Sequence, residues 1–132
     1  MWIFIFRWMN RKSSELIGNM ERELALSGEN VLLGPVAGIY RGATGNFDVV
    51  KGNAVIALTD KHLIIRKLIG GTVEIPLSDI ADVTKNKWFK ASYYNGQEHI
   101  IIETTKNAKI GFMVPSTNAW MDQIASLIQP KT

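Results

Sequence analysis

Near residue 30 the hydrophobic period of the chain shortens from about 3.6 residues to about 2, and it stays short until Pro115. Seven β-rich runs, near 30–40, 52–59, 62–68, 72–76, 80–94, 99–105 and 109–114, are separated by turn-forming residues. That pattern predicts an antiparallel, mainly β domain. The fifth run is long enough that it must bend or bulge. Gly70-Gly71 reads as a two-residue hairpin turn, and Asn95-Gly96 as a stronger one, because a type I′ turn needs positive φ at both central positions. Lys109–Val114 alternates, which predicts Ile110, Phe112 and Val114 on the buried face. Pro115 ends the strand because it has no N–H for the ladder.

Helices are expected at both ends of this β region. Trp120, Ile124, Leu127 and Ile128 recur at i, i+4, i+7 and i+8, predicting an amphipathic helix over roughly 117–129. A helix carrying a tryptophan can plug the open end of a β-barrel, where apolar ends would otherwise meet water. Before the strands, Ile17, Met20 and Leu24 form one apolar face. Ser13 or Ser14 can cap that helix, Glu15 suits its dipole, and Gly28 can end it. The expected organisation is an apolar and basic appendage over 1–12, a helix over 13–28 and one β domain over 29–130.

With 132 residues the chain has material for one core. It has no cysteine, which excludes disulfides, thiolate metal sites and cysteine nucleophiles. A net charge of +3 is too small to favour a nucleic-acid partner. The most apolar run, Trp2–Phe6 followed by Arg7, Trp8 and Met9, is under half the length of about 20 residues that a spanning helix needs. It also lacks the basic lead and small-residue cleavage site of a signal peptide. The expected location is therefore the cytoplasm.

Two segments carry a family resemblance. Ala57-Leu58-Thr59-Asp60-Lys61-His62-Leu63-Ile64-Ile65 resembles the hairpin of GRAM and bacterial pleckstrin-homology-like domains, and Glu74-Ile75-Pro76-Leu77-Ser78-Asp79-Ile80-Ala81-Asp82-Val83 resembles the segment that follows it. The lead-in at Ser27–Leu32, the Asn-Gly hairpin and the final tryptophan-bearing helix come in a similar order. The resemblance spans about residues 27–129. It implies a seven-stranded antiparallel barrel in two roughly orthogonal sheets, capped by the C-terminal helix, with the N-terminal helix added outside. It also implies a binding or scaffolding role. Thr59 and Asp60 suit a tight turn, and Pro76 and Asp79 a change of direction, so these positions read as architectural.

No catalytic constellation stands out. His62 and His99 are the only histidines and are expected on strand surfaces. Asp60 and His62 could form a base–orienter pair, but no nucleophile motif accompanies them. No metal-ligand spacing occurs, and neither a metal nor a cofactor is expected. The loop Arg41–Phe47 is glycine-rich without being a Walker loop, and it reads as a mobile connection. Pleckstrin-homology domains hold phosphoinositides with clustered Lys/Arg there. This chain offers only Arg41 and Lys51, with Asp48 between them.

Two stretches remain as a candidate interaction surface. Lys85–Tyr94 holds Lys85, Lys87 and Lys90 with Trp88, Phe89, Tyr93 and Tyr94 and no acidic residue. It suits an anionic lipid surface, or simply a strand with its lysines outward. The first twelve residues combine Trp2, Phe4, Phe6 and Trp8 with Arg7, Arg11 and Lys12. As a strand they would form one aromatic face, able to add to an exposed sheet edge. As a helix they are apolar all round. Packing on this domain or on a second copy, insertion at a membrane surface, and a disordered end or misassigned start are all open. The expectation is a non-enzymatic module that docks a protein or peptide and self-associates. The alternative is peripheral binding to an anionic inner-membrane surface through both stretches.

Overall fold

The computed structural model describes residues 2–89, 92–93 and 97–128, with side chains for 11–89 and 97–128. Helix α1 (Trp2–Ser27) leads into β1 (Val31–Ala43), β2 (Gly52–Thr59), β3 (His62–Lys67) and β4 (Thr72–Pro76). A single 3-10 turn (Leu77–Asp79) reverses the chain into β5 (Ile80–Asn86). A small ribbon of β6 (Trp88–Phe89) and β7 (Ser92–Tyr93) follows, then β8 (His99–Thr104), β9 (Lys109–Met113) and α2 (Thr117–Leu127).

The architecture is mainly β. Seven strands form one antiparallel sheet in the order β4-β3-β2-β1-β9-β8-β5, with β6-β7 apart. The expected pair of orthogonal sheets is thus one continuous curved sheet, in which β1 pairs with β2 on one side and β9 on the other. It does not close, because β4 and β5 stand as its two edges. Pro76 and the turn after it part these strands, since proline cannot donate to a ladder. Two other expectations change. The fifth run breaks at Lys87 into β5 and the ribbon, and the β3–β4 connection closes over Lys67–Gly71 rather than in two residues. Asn95-Gly96 lies outside the described residues.

The core fills the concave side of the sheet. Leu63, Ile65, Ile110, Phe112 and Val114 all turn into it, as their alternation predicts. α2 lays Trp120 and Ile124 onto the same cluster, with Trp120 edge-on to Phe112 at a ring separation of 6.3 Å. Burying a large apolar side chain this fully is worth about 1.5–3 kcal/mol.

α1 covers the opposite, convex side of β2 and β3. Met20 and Leu24 are buried there on Val55, Ala57 and Ile64, with Leu16 and Ile17 beside them. The strand alternatives for the first residues are overturned: the helix is continuous from Trp2, and Ser13 and Ser14 lie inside it rather than capping it. The direction of α1 follows from two contacts. Glu29, just past its end, bonds Thr59 and His62 at the β2–β3 turn. Glu23 pairs with Arg66, four residues further along β3, at 2.5 Å. Traced back from Ser27, the helix therefore runs toward the opposite end of the sheet, where Gly52 and Lys67 lie. Its 26 residues make it about 39 Å long, against about 27 Å for the eight-residue β2. The helix is thus longer than β2, the strand it covers.

Candidate functional site

The two stretches of the expected interaction surface begin from different parts of the sheet. The packed half of α1 lies over β2 and β3, whereas the ribbon extends from β5 and lies against β8 and β9, with β1 between the two regions. Arg11 is exposed and Lys12 half-buried. The side chains of Trp2, Phe4, Phe6, Arg7, Trp8 and Lys90 lie outside the described residues. Lys85, Lys87 and Trp88 are exposed. Lys85 is engaged within the chain, donating to Asn118 Oδ1 at 2.9 Å and facing Glu98 at 3.6 Å.

The β2–β3 turn is architectural. Thr59 Oγ1 accepts from the N–H groups of Lys61 and His62 at 3.1 and 3.0 Å and donates to Glu29 Oε1 at 2.7 Å. Both lone pairs and the proton of that hydroxyl are committed, so it is no nucleophile. Asp60 does not orient His62. It caps Asn30, accepting from its backbone N–H and side-chain amide at 3.2 Å each. The carboxylate on His62 Nδ1 is Glu29, at 2.8 Å, with Glu74 3.6 Å from Nε2. Among the described residues no group of three or more His, Cys, Asp or Glu converges as a metal site.

At the other end of the sheet the β1–β2 loop is pinned from inside. Lys67 is almost fully buried over the Tyr40 ring, with Nζ 2.5 Å from Asp48 Oδ2 and 3.2 Å from the Val50 carbonyl. Tyr40 donates its hydroxyl to the Asp48 carbonyl, and Asp48 Oδ1 accepts from the Val50 N–H at 2.8 Å. The bond from Lys67 holds the Asp48 carboxyl below its ordinary range, and burial, with Asp48 nearby, pushes Tyr40 up to about 12. The loop expected to be a loose connection is thus clamped around a buried ammonium. Two of the cations at this end are engaged inside the chain, Lys67 by Asp48 and the buried Arg41 by His99.

That clamp turns two valines outward. Val49 and Val50 are 57% and 61% exposed, and Ile69, on the neighbouring β3–β4 loop, is 75% exposed. The loops touch through Lys67, whose Cε lies 2.7 Å from where a Cβ on Gly70 would stand. Three aliphatic side chains therefore share one end of the sheet, with exposed Lys51 next to them. Sequence reading missed this cluster. Its signal was an apolar pair, Val49-Val50, inside a loop that also holds Gly45, Asn46 and Asp48.

A second grouping was also missed. His99 is fully buried rather than on a strand surface. Arg41 Nε donates to its Nε2 at 3.1 Å, and Nδ1 lies 3.2 Å from the Asn86 carbonyl. Phe89 covers this pair from the ribbon and presses on Gly111, where a Cβ would come within 2.5 Å of the ring. Gly111 was the available signal, because a glycine inside a strand marks a close approach. Beside it, Thr84, Asn86, Trp88, Glu103 and Lys109 line a concavity of about 430 Å³.

No family model matches the chain, and no curated protein matches it. Among solved structures it is similar to the C-terminal domain of an unknown protein from Leishmania infantum. The TM-score is 0.59 at 16% identity, covering 86% of this chain and 97% of that one. That likeness shows the fold alone. Among the described residues no helix is long and apolar enough to cross a membrane.

Proposed function

We propose that this chain is a non-catalytic binding module of the pleckstrin-homology-like kind, and that it docks on an anionic membrane surface by the end bearing Val49, Val50 and Ile69. The observation that carries the reading is the exposure of those three aliphatics at the end of the sheet toward which α1 runs when traced back from Ser27. Arg7, Arg11 and Lys12 stand in that helix, and no acidic residue occurs in its first twelve positions. A helix that is apolar all round needs a non-aqueous partner, and basic residues near it add attraction to anionic lipid of about 1 kcal/mol each. The resemblance to GRAM and bacterial pleckstrin-homology-like domains supports the same class. The occupied state of Lys67 and Arg41 argues against a shaped phosphate cradle, so recognition is by charge and apolar depth rather than by one headgroup.

The competing reading is docking of a protein, in the first instance a second copy. With the run helical, copies would pair helix to helix instead of adding a strand to the β4 or β5 edge. Vesicle sedimentation separates the two. The full chain is expected to bind phosphatidylserine vesicles at low salt, to bind neutral phosphatidylcholine far less, and to show no preference for any phosphoinositide. Replacing Val49, Val50 and Ile69 together by Ser is expected to weaken binding on the order of 10- to 100-fold, the loss of a few kcal/mol of partial burial. A stoichiometric dimer by light scattering, with no vesicle binding and no effect of the triple variant, would establish the second reading instead.

A further inference from the structure

Lys67 and the Val49-Val50 pair invert the usual division between inside and outside. The lysine side chain is 3% exposed, while both valines and Ile69 face water. Lysine is almost never buried unless it is paired, and aliphatic side chains are ordinarily drawn inward. Burying an ion pair adds little net stability, because desolvation offsets the attraction. The inversion is accounted for by what it holds outside.

The backbone from Asp48 to Val50 is tied down by three bonds. Tyr40 donates its hydroxyl to the Asp48 carbonyl, Asp48 Oδ1 accepts from the Val50 N–H at 2.8 Å, and the Val50 carbonyl accepts from Lys67 Nζ at 3.2 Å. The same Nζ meets Asp48 Oδ2 at 2.5 Å. With these polar atoms turned toward Tyr40 and Lys67, the valine side chains are left facing outward. Lys67 also anchors the second loop. Its backbone N–H donates to the Gly71 carbonyl at 3.2 Å, and the N–H of Leu68 donates to the Asn53 carbonyl at 2.9 Å, so Ile69 stands in a turn whose base is Lys67. One side chain thus crosses from the loop bearing Ile69 to the loop bearing Val49 and Val50.

We propose that Lys67 and Asp48 are the positioning pair of the docking end: by tying the β1–β2 loop to the β3–β4 loop they present Val49, Val50 and Ile69 to an anionic membrane as one apolar tip. Their role rests on docking by that end and adds to it the residues that fix the shape of the tip. Its signature is a sign. Asp48 is an anion at an end that meets an anionic surface, so if it acted only as a charge, removing it would strengthen binding. As a positioning residue, its removal lets the two loops separate and weakens binding, although the chain gains a positive charge.

Sedimentation of the full chain with phosphatidylserine vesicles tests this. Asp48→Asn is expected to bind about tenfold more weakly than the wild type, through loss of part of the apolar burial. The double variant Asp48→Asn with Lys67→Met has the wild-type net charge and leaves no unpaired ammonium inside, and it is expected to show the same loss. Tyr40→Phe, which removes only the bond to the Asp48 carbonyl, is expected to lose about threefold. The ratio of wild-type to double-variant affinity is expected to hold from low to high salt, because screening acts on exposed charge and not on apolar depth. Added to the triple serine variant of Val49, Val50 and Ile69, Asp48→Asn is expected to cause no further loss, since no tip remains to position. Binding by Asp48→Asn or the double variant as tight as wild type, or an undiminished further loss in the serine background, would overturn the positioning role. Should the charge variants fail to fold, Tyr40→Phe decides, and binding equal to wild type overturns it. The docking reading fails separately, when the serine variant binds vesicles as well as the wild type. Loss of binding in the serine variant, with full binding in the positioning variants, removes the pair and leaves the docking end standing.

Discussion

The two helices divide between them what a helix can do for a sheet. α2 has 11 residues, and its apolar side chains are used by the fold: Trp120 and Ile124 are buried in the core, with Met121, Leu127 and Ile128 packed at its margin. α1 has 26 residues, and the sheet contacts recorded for its described side chains run from Leu16 to Leu24. The contrast is in where each helix packs: α2 closes the concave core, and the described part of α1 rests on the convex face. No acidic residue stands in its first turn to complement the helix dipole. Isolated helical turns are marginal in water, which is why the proposed docking assigns the first turns of α1 a surface to meet.

The largest effect should come from the helix that closes the core. Trp120→Ala is expected to destabilise by about 3–5 kcal/mol, the range for a buried aromatic replaced by alanine. Chemical denaturation measures it. An unchanged midpoint would mean that α2 does not close the core, and the contrast would fail.

Met20→Ala tests the other helix. Met20 is 1% exposed, but it packs in the small outer cluster with Leu24, Val55, Ala57 and Ile64. One side of that cluster is a helix free to settle onto the sheet. The expected cost is about 2–3 kcal/mol, the lower part of the range for methionine truncation. A loss matching that of Trp120→Ala would make α1 a full wall of the core and remove the reason to assign its length to docking.

How far the sequence reveals each part follows from how local its cause is. The strands, α2 and the face of α1 around Met20 and Leu24 were legible, because alternation and helical spacing are properties of neighbouring residues. The extent of α1 was not, since Trp2, Phe4, Phe6 and Trp8 fit a period of 2 as well as a helix. Ser13-Ser14 also offered a plausible false start. The burial of His99 was invisible because it depends on a ribbon folding back from β5, an event outside the alternation of β8. Glu29 as the partner of His62 was hidden for the same reason: Asp60 is nearer along the chain, and Glu29 only in space. The outward turn of Val49 and Val50 required a buried lysine 17 residues beyond Val50, which no local pattern announces.

The smallest effect concerns what steers α1 along β3. Glu23 receives both arms of Arg66, from Nη1 at 2.5 Å and Nη2 at 3.2 Å, yet its side chain is 59% exposed. A pair this open to water and salt contributes below about 1 kcal/mol. Glu23→Gln should therefore lower stability by no more than that, and the difference should shrink in high salt. Its pH dependence has a definite sign. The bond from Arg66 holds the Glu23 carboxyl below its ordinary value of 4.5, so the contribution is complete above that pH and lost as acid titrates the folded chain. Wild type and variant should differ at pH 7 and draw together as the pH falls below 4.5 in parallel denaturation curves. A gap that persists in acid would show that Glu23 acts through packing rather than charge, and would make the steering contact part of the structural half of α1.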